Sequence, residues 1–443
     1  MSDRALLWAL ATSFLAGEGT VEGIVGRGSK TLGRRWRWLR PLAQRYLASF
    51  SGRTRPRHRH VIHFLRNDRG FRSVRSRYRH ELSVEDWLYE PQVMQPVAAA
   101  ESWDLPEIES PRALAQWLGL SASELRWFAD LKALATKTDR PRLQHYNYRV
   151  LAKHSGHVRL IEAPKTKLKQ VQRRILEEIL EKVPAHPATH GFVKGRSIKT
   201  FVAPHVGRRI ILKMDLCDFF PSFSGARIQS FFRTLGYPEP VADLLGGICT
   251  NATPRLAWKA APNDADADLL RAARRLYARP HLPQGAPTSP GLANLCTYRV
   301  DCRLEGLARS VGAEYTRYAD DLAFSSNDAG FERRVEQFAT HVAALLMEEG
   351  FTVHHRKTRV MRQGVRQYVA GVVLNQHLNV VRSDFDRLKA TLTNCVQLGP
   401  ESQNREAHPT FRSHLEGRVG FVEMINPVRG RRLRAILEKI VWR

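Results

Sequence analysis

Two adjacent carboxylates, Asp320 and Asp321, interrupt the alternating run Tyr315-Thr316-Arg317-Tyr318-Ala319-Asp320-Asp321-Leu322-Ala323-Phe324. Apolar and aromatic residues at a period of two on both flanks predict two short strands. The acid pair then falls at or beside a hairpin turn, where both side chains project from one edge. Carboxylates fixed so close repel each other unless a cation sits between them. A hard divalent ion such as Mg²⁺, which prefers oxygen ligands, meets that need. A solvated Asp-Asp turn is the bland alternative, so the pair takes its meaning from its context.

That context begins upstream. Ile210-Ile211-Leu212-Lys213-Met214-Asp215-Leu216 reads as a buried strand ending in an acid, followed by Asp218-Phe219-Phe220-Pro221-Ser222. A carboxylate at the end of an apolar strand is costly to bury without a partner. Capping of a following helix is the competing explanation, and Asp218 suits it better than Asp215. A third acid delivered to the hairpin completes a site for two metals, able to activate a hydroxyl and clamp a leaving pyrophosphate. Between these segments lies Leu282-Pro283-Gln284-Gly285-Ala286-Pro287-Thr288-Ser289-Pro290, a stiff turning loop. Ser289 and Pro290 predict a helix cap and first helical residue, with the helix continuing through Leu292, Leu295, Val300, Leu304 and Leu307.

Taken together, the three segments resemble the reverse transcriptase family. Asp215 with Phe219-Phe220 is similar to its first catalytic motif, residues 282–290 to its nucleotide-and-template loop, and residues 318–321 to its YxDD box. The resemblance runs over residues 146–375. It implies an α+β right-hand polymerase with fingers, a palm built on an antiparallel sheet, and a helical thumb. It also implies RNA-templated DNA synthesis from dNTPs with two Mg²⁺ ions. Asp215, Asp320 and Asp321 are then the catalytic acids, and Asp215, Leu216, Asp320 and Asp321 the metal-holding positions. Phe220 occupies the steric-gate position that excludes a ribose 2′-hydroxyl. Gln284 and Gly285 meet the incoming nucleotide. Arg159 and Lys165, in a segment resembling the fingers hairpin, meet its triphosphate. Lys357, in Arg356-Lys357-Thr358-Arg359, is placed to protonate the leaving pyrophosphate.

Further details resemble the bacterial retron branch: the 317–325 box, the 284–290 loop and His190-Gly191-Phe192-Val193-Lys194-Gly195-Arg196-Ser197. The long N-terminal extension resembles the myxobacterial retron type. The branch's Asn-Ala-x-x-His motif is reduced here to His205, expected at the RNA, and its Val-Thr-Gly reads Val369-Ala370-Gly371. The resemblance implies a cognate non-coding RNA of the msr–msd type as partner. It implies synthesis from the 2′-hydroxyl of an internal guanosine, with branched RNA-linked DNA, msDNA, as the product. It further implies a role in antiphage defence beside an effector protein. Two alternatives stay open: a non-retron defence or intron-type reverse transcriptase, and a non-catalytic RNA-binding scaffold that restrains a toxin.

Charge supports a polyanionic partner. The 443 residues carry a net charge of +27, which favours nucleic acid. No run of 18 apolar residues predicts a spanning helix, and five cysteines without a Cys-x-x-Cys pair read as reduced thiols of a cytoplasmic protein. The basic charge is concentrated: residues 26–80 hold 17 Lys and Arg against one acid, Asp68, whereas residues 81–140 hold 11 acids against five Lys and Arg. Trp36, Trp38, Tyr46, Phe50, Phe64, Phe71 and Tyr78 interleave the arginines, a mixture suited to RNA and compatible with an arm that orders on binding. The sequence therefore suggests an extension over 1–140, fingers and palm over 141–375, and a thumb over 376–443.

Within these, residues 5–16 predict an amphipathic helix, 110–136 a helical pair, and 166–183 another helix. Residues 259–278, with Pro262 and Asn263, suggest an insertion or long loop. Helices are expected over 383–396, 410–424 and 431–441, the last with Arg429, Arg431, Arg432 and Arg434 as its RNA contacts.

Overall fold

The computed structural model describes residues 3–51, 56–88, 92–138, 140–152, 158–261 and 266–442. Pro262 and Asn263 lie outside them. The protein is helix-rich α+β with antiparallel sheets. The chain divides into two compact units, each assembled from two stretches: Met1–Pro184 with Phe220–Cys296, and Ala185–Phe219 with Thr297–Arg443.

The first unit opens with five helices, α1 (Asp3–Leu15), α2 (Val21–Thr31), α3 (Leu39–Phe50), α4 (His58–Asn67) and α5 (Arg69–Arg77). They enclose a core of their own that includes Leu10, Phe14, Ile24, Leu39 and Leu65. The basic segment is therefore folded, and Trp36, Tyr46 and Phe71 are buried in this core. The reason is visible at Leu39, Leu42, Ala43 and Tyr46, an apolar stripe at three- and four-residue spacing beneath the arginines. Residues 5–16 fall mostly within α1, which buries most of its faces and leaves Trp8 exposed.

Two short helices follow, α6 (Pro111–Leu118) and α7 (Ala122–Ala129). Ser110 caps α6 ahead of Pro111, and Ser121 forms a capping box with Glu124. The helical pattern continued to residue 136, but α7 stops at Ala129. Asp130 turns left-handed, and its carboxylate accepts from the amides of Leu134 and Ala135, leaving Leu131 and Leu134 exposed. Strands β1 (Tyr146–Ala152) and β2 (Val158–Pro164) pair antiparallel and lead into α8 (Thr166–Glu178). The unit is completed by α9 (Gly225–Thr234), α10 (Glu239–Cys249), α11 (Ala267–Tyr277) and α12 (Thr288–Cys296). Both α6 and α7 pack on α10. Arg57, just before α4, reaches Asp243 at 3.1 Å and Gln229 at 2.7 Å, fastening the N-terminal helices to α9 and α10. Where an insertion or long loop was expected, α11 forms over part of the stretch. Asp266 caps it, alanines favour it, and Tyr277 joins Trp258, Val150 and Leu160 in a small core against β1 and β2.

The second unit is built on four antiparallel strands, β3 (Ile210–Asp215), β4 (Glu314–Tyr318), β5 (Asp321–Ser326) and β6 (Arg359–Arg362), in the order β4-β5-β3-β6. Helices α13 (Tyr298–Arg309) and α14 (Ala329–Glu348) accompany them. Phe324 of β5 packs edge-on against Phe338 of α14 at 5.2 Å. The helix expected to run from Ser289 to Leu307 is two, α12 and α13, separated at Thr297. A small sheet follows, β7 (Tyr368–Val369), β8 (Val372–Val373) and β9 (Asn379–Val380), then α15 (Arg382–Leu398), α16 (Phe411–Ile425) and α17 (Pro427–Leu437). Leu392, Leu415, Val419 and Leu433 meet Val369 and Val372 in their shared core. Helix α17 starts four residues earlier than its basic run suggested, because Asn426 caps the Arg429 amide and Pro427 takes the first position.

Candidate active site

Strand register sets the acids. Asp215, the last residue of β3, pairs directly with Asp321, the first of β5. Tyr318 pairs with the same Asp321 across the β4–β5 hairpin, so Ala319 and Asp320 form a two-residue turn. Ala319 has φ +54, a conformation that favours glycine and strains alanine. The Leu216 amide donates to the Asp320 carbonyl at 3.0 Å, and the His354 amide to the Asp215 carbonyl at 2.7 Å. Three carboxylates thereby share one end of one sheet. Gly191 lies so close that a Cβ there would stand 2.7 Å from the Ala319 nitrogen.

Beneath the turn is a buried charge network that sequence reasoning missed. Arg317 and Asp301 are almost wholly buried. The Arg317 guanidinium donates to both Asp301 oxygens at 2.8 and 2.7 Å. It also donates to the Thr189 hydroxyl at 2.9 Å and to the Ala319 carbonyl at 3.1 Å. Tyr315 adds a hydroxyl to Asp301 at 2.8 Å. Burial alone would lower the Arg317 pKa, but the Asp301 charge outweighs it and raises it. An arginine inside the alternating strand 314–318 was the available signal, since buried charges demand partners; Asp301, among the charges of its own helix, offered none.

The electrostatics of the acids favour a cation. Burial, and next the Asp215 charge, raise the Asp320 carboxyl above its ordinary value. Lys357 donates to both oxygens of Asp215 at 3.2 and 3.0 Å. Against the lowering effect of partial burial, that contact raises the lysine's pKa. Lys357, expected at a leaving group, is ion-paired with Asp215 in this structure. Lys213, which the sequence reading did not single out, lies 2.9 Å from Asp321 Oδ1, an atom that is buried and without a well-formed hydrogen bond. Among the described residues, no three His, Cys, Asp or Glu side chains close into a ready-made metal cage. The donor set nonetheless suits Mg²⁺: hard carboxylate oxygens gathered at one sheet end, with burial and the Asp215 charge opposing ionisation of Asp320.

Other expected residues are placed as follows. Arg159 is exposed on β2, and Lys165, just before α8, donates to the Pro141 carbonyl. Gln284 and Gly285 lie against β2. The Glu162 amide donates to the Gln284 carbonyl at 2.8 Å, and Gly285 has φ +130, with room for no Cβ beside the Glu162 carbonyl. The Glu162 side chain is itself buried, accepting from Asn251 at 2.8 Å and Thr253 at 2.7 Å and lying 2.8 Å from His281 Nε2. This network braces the loop and was not anticipated; its signal was an acid at an inward position of a strand. Phe220 begins a short 3-10 turn, with its ring half-buried. Arg431 and Arg432 are exposed on α17 and Arg429 is partly so. Arg434, partly exposed, is paired with Glu423, with Nε 2.9 Å from Oε1.

His205 is a correction. Expected at the RNA, it is wholly buried, 2.7 Å from Thr316 Oγ1 through Nε2 and 2.6 Å from Ser325 Oγ through Nδ1. The Thr316 hydroxyl already donates to the Phe201 carbonyl at 2.9 Å. Nε2–H must therefore donate to Thr316, and Nδ1 accept from Ser325, which is the neutral ring. Burial pushes this histidine's pKa down to about 3. A depressed histidine stabilises the fold fully above its unfolded pKa of about 6.5 and loses that stability as pH falls toward the folded value. The urea midpoint should accordingly fall between about pH 7 and about pH 5, and His205→Asn should reduce that fall. An unchanged pH difference in the variant would reject this account.

Comparison with known proteins agrees with this geometry. Residues 151–373 match the family described as reverse transcriptase (RNA-dependent DNA polymerase). The chain belongs to the reverse transcriptase family, and its activity is RNA-directed DNA synthesis. It is similar to the Retron Mx65 reverse transcriptase of Myxococcus xanthus, 41% identical over 338 residues, covering 75% of this chain and 72% of that one. It is also similar to the Retron Mx162 reverse transcriptase of the same organism, at 38% identity over 76% of this chain and 68% of that one. The Retron Ec86 reverse transcriptase of Escherichia coli is 29% identical over 64% of this chain and 77% of its own length. Within its family the chain is of the retron type. No helix among the described residues is long and apolar enough to cross a membrane.

Proposed function

We propose that this enzyme copies part of a cognate msr–msd type RNA into single-stranded DNA that remains branched from that RNA, starting at the 2′-hydroxyl of an internal guanosine. The observation that carries the reading is the meeting of Asp215, Asp320 and Asp321 at one sheet end, joined to the retron names of its relatives. On this reading the β3–β6 sheet is the palm, β1 and β2 belong to the fingers, and α15 to α17 form the thumb. Asp215, Asp320 and Asp321, with Leu216, would hold two Mg²⁺ ions. When bound, these supply charge neutralisation for the attacking hydroxyl and the departing pyrophosphate. Lys213 and Lys357 balance the acids until then. Gln284 and Gly285 position the nucleotide, Arg159 and Lys165 its phosphates, and Arg429, Arg431 and Arg432 the nucleic-acid backbone. A role in antiphage defence, with an effector protein, belongs to the same proposal.

Purification from cells carrying the native locus, followed by sequencing of the bound nucleic acid with and without debranching, tests the reading. A discrete DNA joined through a 2′ linkage to RNA is expected. Untemplated or homopolymeric DNA would indicate another kind of defence polymerase. RNA without DNA, despite supplied dNTPs, would favour a scaffold.

Phe220 provides a separate test. Its ring is proposed to stand where a ribose 2′-hydroxyl would go. Phe220→Ala should then raise incorporation of NTPs relative to dNTPs by at least about tenfold, the scale of 1.4 kcal/mol of lost discrimination. Unchanged discrimination would remove Phe220 from the role.

A further inference from the structure

The N-terminal helices carry a recess of about 800 Å³ that none of the polymerase residues lines. Phe50, at the end of α3, and Phe64, on α4, form its apolar wall. Both rings are half-buried, with centroids 6.1 Å apart and planes inclined by 65°. Tyr46 backs them from the core, 5.2 and 5.9 Å away. Whereas Trp36, Tyr46 and Phe71 are consumed by the core, Phe50 and Phe64 keep a face toward the recess.

The rim offers donors. Arg45, Arg69, Asn67, His60 and His63 stand around it. Asp68 also lines it, but Arg45 takes both its oxygens at 2.7 and 2.8 Å. The Phe71 amide adds a third bond at 2.7 Å. The carboxylate is thus neutralised where it sits, and Arg69, exposed at the start of α5, faces solvent. Arg66 and Arg72, also exposed, extend the positive surface beside it.

We propose that this recess binds an unpaired nucleotide of RNA, its base against Phe50 and Phe64 and its phosphate at Arg69. An aromatic wall accepts the face of any base, and a cationic rim takes the backbone. A base within a duplex has no free face to offer, so the site selects single-stranded or looped RNA over paired RNA. The choice of RNA as occupant rests on the proposed function; the location and chemistry rest on the recess.

The test uses the full chain and a single-stranded oligoribonucleotide carrying 4-thiouridine. Irradiation should cross-link it to peptides from α3 to α5. Phe50→Leu keeps the packing but removes the flat face, and should weaken binding at least fivefold, the lower end for a lost base stack. Arg69→Ala should reduce the slope of log affinity against log salt by about one, the expectation for a single phosphate contact. Neither change should affect extension of a preformed primer–template. Cross-links confined to other helices, or unaltered affinity and slope in both variants, would overturn the proposal, as would protection of this face by a protein rather than by RNA. If the parent cannot extend the primer–template, the polymerase reading fails, and the cross-linking pattern still decides the recess.

Discussion

Asp320→Asn is expected to abolish DNA synthesis, by on the order of 10³-fold or more, while leaving the metal-free protein as stable as the parent or more so. On the proposed two-metal reading, the loss follows from removing a hard ligand where charge must be neutralised, an effect of several kcal/mol on the barrier. The stability follows from a different sign. Burial and the Asp215 charge raise the Asp320 carboxyl, so its ionised form opposes folding at any pH above its unfolded pKa. Asparagine has nearly the same shape and no charge to be repelled. The measurement is primer extension beside a thermal melt without Mg²⁺. Retained synthesis would remove Asp320 from the catalytic set. A large fall in melting temperature would show that Asp320 acts as a structural acid.

Arg317→Met is expected to be the most damaging change to the fold near the site. It would strand the buried Asp301 carboxylate, a loss of about 3–5 kcal/mol. Arg317→Lys separates charge from geometry. A lysine can neutralise Asp301 but cannot also reproduce the fork to both oxygens and the bond to the Ala319 carbonyl. That bond steadies the residue preceding Asp320, at a turn already strained by a left-handed alanine. Lysine should therefore recover much of the stability and little of the turnover, with a weaker stabilising response to added Mg²⁺ in thermal melts. Turnover that simply follows the folded fraction would show that the ion pair is structural and does not position the turn.

The parts of this site that were legible from sequence are those in which local order and chemistry coincide. An acid at the end of β3 and two at a hairpin are readable because strand alternation fixes which way they face. Helix caps at Ser110 and at Ser121 with Glu124 rest on equally local chemistry, whereas Ser289 and Pro290, expected as cap and first helical residue, lie inside α12. Contacts between distant stretches were not. Arg317 depends on Asp301 and on Thr189, far apart in the chain, and no window of sequence connects them. His205 was assigned to RNA on a motif remnant, whereas its two hydroxyl partners come from β4 and β5. Arginine density in residues 26–80 was compatible with an arm that orders on binding, and it masked the apolar stripe at Leu39, Leu42, Ala43 and Tyr46.

The chain's route through its two units also governs how the enzyme can be made. Strand β3 lies inside its sheet, between β5 and β6, and Lys213 pairs with Ala323 on one side and Arg359 on the other. Both neighbours are synthesised more than a hundred residues later. On the ribosome, the helices at residues 3–77 can close their core early, but β3 must wait, an unpaired apolar strand, while α9 to α12 are threaded through the other unit. Such waiting strands are prone to mispairing. The catalytic sheet is thus a late event of synthesis, and slowing translation within residues 216–320 should lower the yield of active enzyme more than slowing it anywhere before residue 100.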